Sequence, residues 1–458
     1  MPIIFIVGIL AIAFEDKLKV NKGATALTMC VAMWSLLLFA NTGGTRSKDF
    51  SEYVELHKEL KEMSLTEQAQ EYVGNALTFH LGDVSGTLFF IICVMLIVDT
   101  IDKYGGFKSI TYHVSTDDKR SLLWRVSFIA FFFSALLDNL AAAVVIIAVI
   151  RKLVPDRTDR LKYACIAIIS CNAGGSWSPI GDVTTLLLWT NGRLTPDYQI
   201  LKIFIPAFIN MFIPTLIAHF WLFKKNAKLR ANAIDDKNDE LSQELPQRSR
   251  RGVFYLGMIS LVLIPFYQIF FKIPAFMGAI IGVVVVWVYT ELIFKKRKSL
   301  IKKADSLRLA NLMHDSDLST IFYFLGILMS VAAMETSGHL YMASAYISGV
   351  LPNSNILAFI IGVLSSMLDN VALVAGVLGM YPTETIAGSP FAINGDFWTF
   401  LSYCAVTGGS LLIIGSATGV TIMGLENIDF KYYFKRFSIL ALVGYVAGAG
   451  MQLLILNI

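Results

Sequence analysis

The sequence predicts an all-α polytopic membrane protein. About ten transmembrane helices and two re-entrant hairpins form an inverted repeat, with broken helices at its centre. Three observations carry this prediction. The 458 residues are 55% hydrophobic and 16% charged, with a mean hydropathy of +0.63, whereas soluble domains carry about 25% charged residues. The charges are unevenly placed: segments 41–83, 102–120, 224–251 and 295–318 hold more than half of them, and long apolar runs broken by Gly make up the rest. Two distant stretches also echo each other. A formal net charge of +4 is too small and too scattered for a surface that tracks phosphates, so nucleic acid is not an expected partner. The expected partner is the lipid bilayer.

A span takes about 20 apolar residues. The run 2–14 lacks a basic leading segment, so it reads as a short first span and not a cleaved signal. Further spans are expected at 24–40, 86–101, 161–190, 200–223, 252–271, 275–294, 319–337, 397–425 and 437–457. Segment 47–73 reads as an amphipathic external helix with a solvated face and no chemistry. Two stretches, 122–150 and 355–381, each carry an Asp-Asn pair near the middle, Asp138-Asn139 and Asp369-Asn370. A charged Asp at the centre of a lipid-facing helix costs about 2.5–3.5 kcal/mol. A hairpin with the Asp at its tip avoids that cost, provided protein or a water-filled cavity surrounds the tip.

Loop charge supports the hairpins. Segment 224–251 holds eight Lys/Arg and segment 295–318 holds seven, with two spans between them. Both therefore lie on one side, which the positive-inside rule makes cytoplasmic. With both stretches as hairpins, loops 102–120 and 151–160 and the patch Lys431, Lys435 and Arg436 also fall inside, while 41–83 and both termini fall outside. The expected organisation is an N-terminal region 1–85, a first repeat 86–223, a cytoplasmic linker 224–251, two spans with a basic loop over 252–318, and a second repeat 319–458.

The repeat rests on ordered matches. Ser134-Ala-Leu-Leu-Asp138-Asn139 matches Ser365-Ser-Met-Leu-Asp369-Asn370 at an offset of 231. Gly174-Gly175-Ser176, Gly181 and Thr184 match Gly408-Gly409-Ser410, Gly415 and Thr418 at an offset of 234, and Asp99-Thr100 resembles Glu335-Thr336. The expected topology runs the two halves in opposite directions, as in many secondary transporters. Three Gly and a Pro between Asn172 and Asp182 cannot hold a regular helix, so this span breaks, as does 397–425 at its Gly-rich patch.

No Lys or Arg occurs in 126–150, 163–192 or 355–430, which contain Asp138, Asp182 and Asp369. Buried carboxylates without a fixed cation need a proton or a bound cation. Carboxylate, amide, hydroxyl and carbonyl oxygens suit hard cations such as sodium. A desolvated carboxylate holds its proton more tightly than in water. Competition between proton and cation at one site, joined to alternating access, gives obligatory exchange. Cys30, Cys93, Cys165, Cys171 and Cys404 show no metal spacing, and His80, His219 and His339 are isolated. Neither HExxH nor GxSxG on a strand–turn–helix is present, so an enzyme is not expected.

The strings Ser134–Ala143, Cys171–Thr185 and Ser366–Asn370 resemble the NhaD-type sodium/proton antiporters of the ion transporter superfamily, over roughly residues 75–458. The resemblance implies exchange of Na⁺, and often Li⁺, for H⁺ without a cofactor. It also implies a homodimer with a scaffold domain and a moving transport domain, and a bacterial plasma membrane is the expected location. Carried over by motif, the ion and proton site is Asp138, Asn139, Asn172, Ser176, Asp182, Thr184, Thr185, Asp369, Asn370, Ser410, Ser416 and Thr418, with Asp138 and Asp369 facing the Na⁺. The alternative within the superfamily is sodium-coupled transport of a dicarboxylate or other anion.

Overall fold

The computed structural model describes residues 1–13, 19–39, 48–106, 114, 116–223, 228–229, 246–271, 273–297, 318–351, 353–368, 370–386 and 388–457. Asp369 and most of the two basic segments, 224–251 and 295–318, lie outside the described residues. Among the described residues, seven helices are long and apolar enough to cross a membrane.

The N-terminal region holds α1 (Pro2–Ala13), α2 (Lys22–Phe39), α3 (Lys48–Leu56) and α4 (Leu65–Lys103). The expected external helix 47–73 is corrected here. It divides at a 3₁₀ turn over Lys58–Glu62, and its second part is the start of α4. The cause is local: Ser64 and Glu67 form a capping box that nucleates a new helix. With 39 residues, α4 is about 58 Å long and projects well beyond a bilayer core of about 30 Å.

The stretch 122–150 appears as α5 (Lys119–Leu137) and α6 (Asn139–Leu153), hinged at Asp138. It returns to the side from which it came. Lys119 at its start pairs with Asp159, and Val154 at its end leads within three residues into α7 (Arg157–Ser176), which carries Asp159. The arms are unequal, because α5 has 19 residues, not the half-length expected. The second hairpin is α14 (Ser354–Leu364) and α15 (Asn370–Met380), with 11 residues in each arm. Both breaks are present as well. The first span divides into α7 and α8 (Val183–Thr190), the second into α16 (Asp396–Gly408) and α17 (Ala417–Glu426). The remaining elements are α9 (Pro196–Trp221), α10 (Gln247–Phe271), α11 (Ala275–Arg297), α12 (Leu318–Thr336), α13 (His339–Val350), α18 (Phe430–Arg436) and α19 (Ser438–Leu456). The separate helix α13 was not expected; Gly338, at φ +74°, turns the chain into it.

The ends of the elements define two faces. On the basic face, Arg120 donates to the Phe223 carbonyl at the end of α9 (2.8 and 3.0 Å). Arg151 and Arg160 there pair with Glu426 at the end of α17 (2.6 and 2.7 Å). On the opposite face, the Asn394 N–H donates to the Arg193 carbonyl (2.9 Å) and the Thr195 N–H to Asn394 Oδ1 (2.8 Å). Hence α7–α8 runs from the basic face to the opposite face, and α16–α17 runs back.

Two apolar cores result. One joins α1, α2, α4, α10, α11 and α12 and takes in Leu186, Leu187 and Trp189 of α8 and Val371, Ala372 and Ala375 of α15; the other joins most of the hairpins and broken helices to α9 and α19. This grouping cuts across the linear order, since α4 and α12, the first helices of the two expected repeats, pack in the first core. The second core repeats its own contacts. A Cβ on Gly174 would stand 2.0 Å from the Phe131 carbonyl oxygen, and one on Gly408 would stand 1.9 Å from the Gly362 oxygen. Ser134 Oγ donates to the Cys171 carbonyl (2.6 Å) as Ser365 Oγ does to Ala405 (2.7 Å). Only glycine allows such backbone-on-backbone contact between a hairpin arm and a broken helix.

Candidate functional site: a cavity floored by hairpin tip and helix breaks

Asp138 has a φ of +76°, a region few residues other than glycine occupy. It ends α5 and caps α6, its Oδ1 accepting the Leu140 N–H at 2.7 Å. Strain held at a tip in this way marks a position where the surrounding structure fixes one carboxylate direction.

Asp182 caps α8 at the first break. Thr185 closes the cap, its Oγ1 accepting the Asp182 N–H at 3.3 Å while its hydroxyl donates to the Asp182 carbonyl at 2.8 Å. The Asp182 carboxylate accepts from the Thr184 N–H (2.7 Å) and hydroxyl, and from the side-chain amides of Asn139 and Asn370. The Asn370 contacts measure 3.4 and 3.3 Å. These donors come from the first break and both hairpins, and an ionised carboxylate, which only accepts, satisfies all of them. Asn172, on α7, donates to Ser410 Oγ and Ser416 Oγ, each at 2.9 Å, and so ties the first break to the second. Its Oδ1 faces the Asn139 amide at 3.4 Å.

A cavity of about 360 Å³ reaches this cluster. Asp138, Asn139, Asp182, Asn370 and Ser416 line its floor, and Asn21, Lys22 and Ser319 line it at the basic face. The other expected site residues fall behind the floor. Asn172 and Thr184 act through bonds to lining residues. Ser410 holds Asn172, and Thr185 is spent on the cap. Ser176 is fully buried, and its hydroxyl turns back to the Ala173 carbonyl at 2.8 Å. Thr418 stands where Thr184 stands in the first half, but its buried hydroxyl has no partner among the described residues, because Ser416 takes the place of an acid. Asp369 lies outside the described residues. Among those residues no group of three or more His, Cys, Asp or Glu could hold a metal ion, so a cation here would rely on mixed oxygens.

Sequence reasoning missed Lys22, the one basic residue among the described residues lining the cavity. It also missed Tyr323 of α12, whose ring lies 4.9 Å from the Lys22 ammonium. Lys22 carried a signal only as a loop charge, and α12 carried none.

Crossed broken helices, paired hairpins and a carboxylate-floored cavity define a polytopic membrane transporter. The chain belongs to the citrate transporter family, whose model, described as CitMHS, citrate transporter, matches residues 9–394. It is 32% identical to sodium/proton antiporter 1 of Arabidopsis thaliana over all of this chain and 72% of that protein. It is 31% identical to sodium/proton antiporter 2 of the same plant, over all of this chain and 99% of the relative. Identity to the Na(+)/H(+) antiporter NhaD of Vibrio cholerae is 23%, over 99% of this chain and 91% of the other. The YdaH transporter of Alcanivorax borkumensis shares the fold with a TM-score of 0.54 at 14% identity, over 83% of this chain and 87% of that one.

Proposed function

We propose that the chain exchanges Na⁺, and Li⁺, for H⁺ by alternating access. The observation that carries this is the contrast between two carboxylates in one cavity. Asp182 is held by four donor groups and is part of the frame. Among the described residues Asp138 accepts a single hydrogen bond, from the Leu140 N–H, and it faces the cavity. Asp138 is the group free to carry either a proton or a cation, and the negative charge of Asp182 on the same floor makes an unneutralised Asp138 costly. Cation and proton therefore replace each other. Asn139, Asn370 and Ser416 supply neutral oxygens for the cation, and Asp369, carried over by motif, belongs to the same proposed set. The cavity reaches the basic face, so this arrangement takes ions from the cytoplasmic side.

The names of the antiporter relatives support the cation. The description of the family supports the second reading, an anion carried with sodium, and Lys22 at the mouth would favour an arriving anion. That reading needs the coupled sodium to offset both floor carboxylates before an anion can enter the same cavity. The proposal includes a homodimer, in which the first core is the scaffold and the second core moves. It also includes a bacterial plasma membrane, which immunolocalisation in the source cells would distinguish from an organelle membrane. Everted vesicles with an acid interior test the function. Na⁺ or Li⁺ should dissipate the pH gradient, and K⁺ and citrate should not; a response to citrate alone overturns it.

A further inference from the structure

The ion cavity lies at the basic end of a seam between α4 and α12, where Ile91 and Met95 face Thr320 and Tyr323. A second cavity, of about 490 Å³, lies at the other end of the same seam. The step from Ile91 to His80 along α4 places it about 16 Å away. Asn75 and His80 of α4 line it, as do Tyr53 and His57 from the external segment and Glu335 and Thr336 from the last turn of α12.

Its oxygens are arranged for a cation. Thr336 is 2% exposed, and its hydroxyl has no hydrogen-bond partner among the described residues. Thr100, at the corresponding place in the first repeat, bonds the Leu96 carbonyl at 2.6 Å, so the helix does not force this omission. A buried hydroxyl left open beside a carboxylate points to something outside the chain. Asn75 spends its amide hydrogens on Tyr53 and on Glu71 (3.2 Å), which leaves its carbonyl oxygen. His57 is turned to the Tyr53 carbonyl at 2.9 Å and stacks on the Tyr53 ring at 4.2 Å. Arg193, the cation whose charge Glu335 feels, is directed to the Leu378 carbonyl (3.4 Å) and lies over the Trp398 ring at 5.0 Å. Carboxylate, hydroxyl and amide oxygens suit a hard cation. The volume leaves room for several of its waters, each of which takes about 30 Å³.

We propose that Glu335 and Thr336 form an access site for a partly hydrated monovalent cation on the outer face. It is distinct from the exchange site, and its physiological role rests on the exchange reading. The test uses Ala76→Cys, at a residue lining this cavity, labelled in intact cells by a membrane-impermeant thiol reagent. The unsubstituted chain is the control for its own cysteines. Na⁺, compared with choline, should slow labelling, and should still do so in an Asp138→Asn background, where exchange is absent. Glu335→Gln or Thr336→Val should raise the half-protecting Na⁺ concentration about fivefold or more, the loss of one ligand contact. Thr336→Val removes a hydroxyl that bonds nothing, so it keeps the fold. Protection that vanishes with Asp138→Asn, survives both variants, or is absent from the start overturns the site. A failed exchange reading shows separately, as no Na⁺-driven proton flux in the unsubstituted chain.

Discussion

Replacing Asp138 by Asn separates chemistry from fold. Asn caps a helix about as well as Asp, and it tolerates a positive φ better than most residues. Its Oδ1 can keep the 2.7 Å bond from the Leu140 N–H. The cost to stability should stay under about 1 kcal/mol, with little change in thermal midpoint. Exchange should fall at least about 100-fold, equivalent to about 2.7 kcal/mol of activation free energy, because an amide neither takes a proton nor neutralises a cation. Asp182→Asn is the contrasting case. Its new NH₂ faces two other amide donors and forfeits charge-assisted bonds worth about 1.5–3 kcal/mol each. That variant should lose exchange and also several degrees of thermal stability. The assays are pH-gradient dissipation in everted vesicles and thermal unfolding in detergent. If Asp138→Asn exchanges at half the normal rate, or destabilises as much as Asp182→Asn, the division of labour between the two carboxylates is wrong.

Three further outcomes are expected. Asn172→Ala should lower exchange and cost about 1–3 kcal/mol, because it leaves Ser410 and Ser416 without their shared donor; turnover and thermal midpoint measure it. Gly408→Ala, with its Cβ 1.9 Å from the Gly362 oxygen, should prevent a monodisperse product in size-exclusion chromatography, whereas Gly424→Ala, with nothing within 4 Å, should behave normally. At Glu426, burial pushes the carboxyl up, but hydrogen bonds from Arg160 and Arg151 outweigh it and hold the carboxyl below its usual range. A depressed folded value means that the clasp contributes fully above the ordinary glutamate range and is lost as pH falls through the folded value. Acid should therefore lower the thermal midpoint more steeply in the unsubstituted chain than in Glu426→Gln.

The features legible in the sequence were those marked by residues that disrupt a helix. Asp138, the Gly-Pro string of the first break and the Gly-rich string of the second interrupt otherwise uniform apolar runs, so hairpins and broken helices could be placed. Ser64 and Glu67 form a readable capping signal, yet the acidic pattern of 47–73 reads as one helix across the point where they start a new one. The partners of α4 and α12 were not legible, because an apolar face does not specify which other apolar face covers it. The separate roles of Asp138 and Asp182 were also hidden. Both are acids in stretches without Lys or Arg, and only the donors brought to Asp182 by its own helix and by the two hairpins distinguish them. Lys22 lies far from the site in sequence and joins it only through the packing of α2 on α12.

Purified protein reconstituted into liposomes allows the most direct test of the central claim, that cation and proton replace each other at one site. A Na⁺ gradient is imposed, and the direction of proton movement is followed with an internal pH dye, with and without citrate. Protons moving against the Na⁺ flux, independent of citrate and absent in Asp138→Asn, are the expected result. Na⁺ uptake that requires citrate, with no opposing proton movement, would contradict the account.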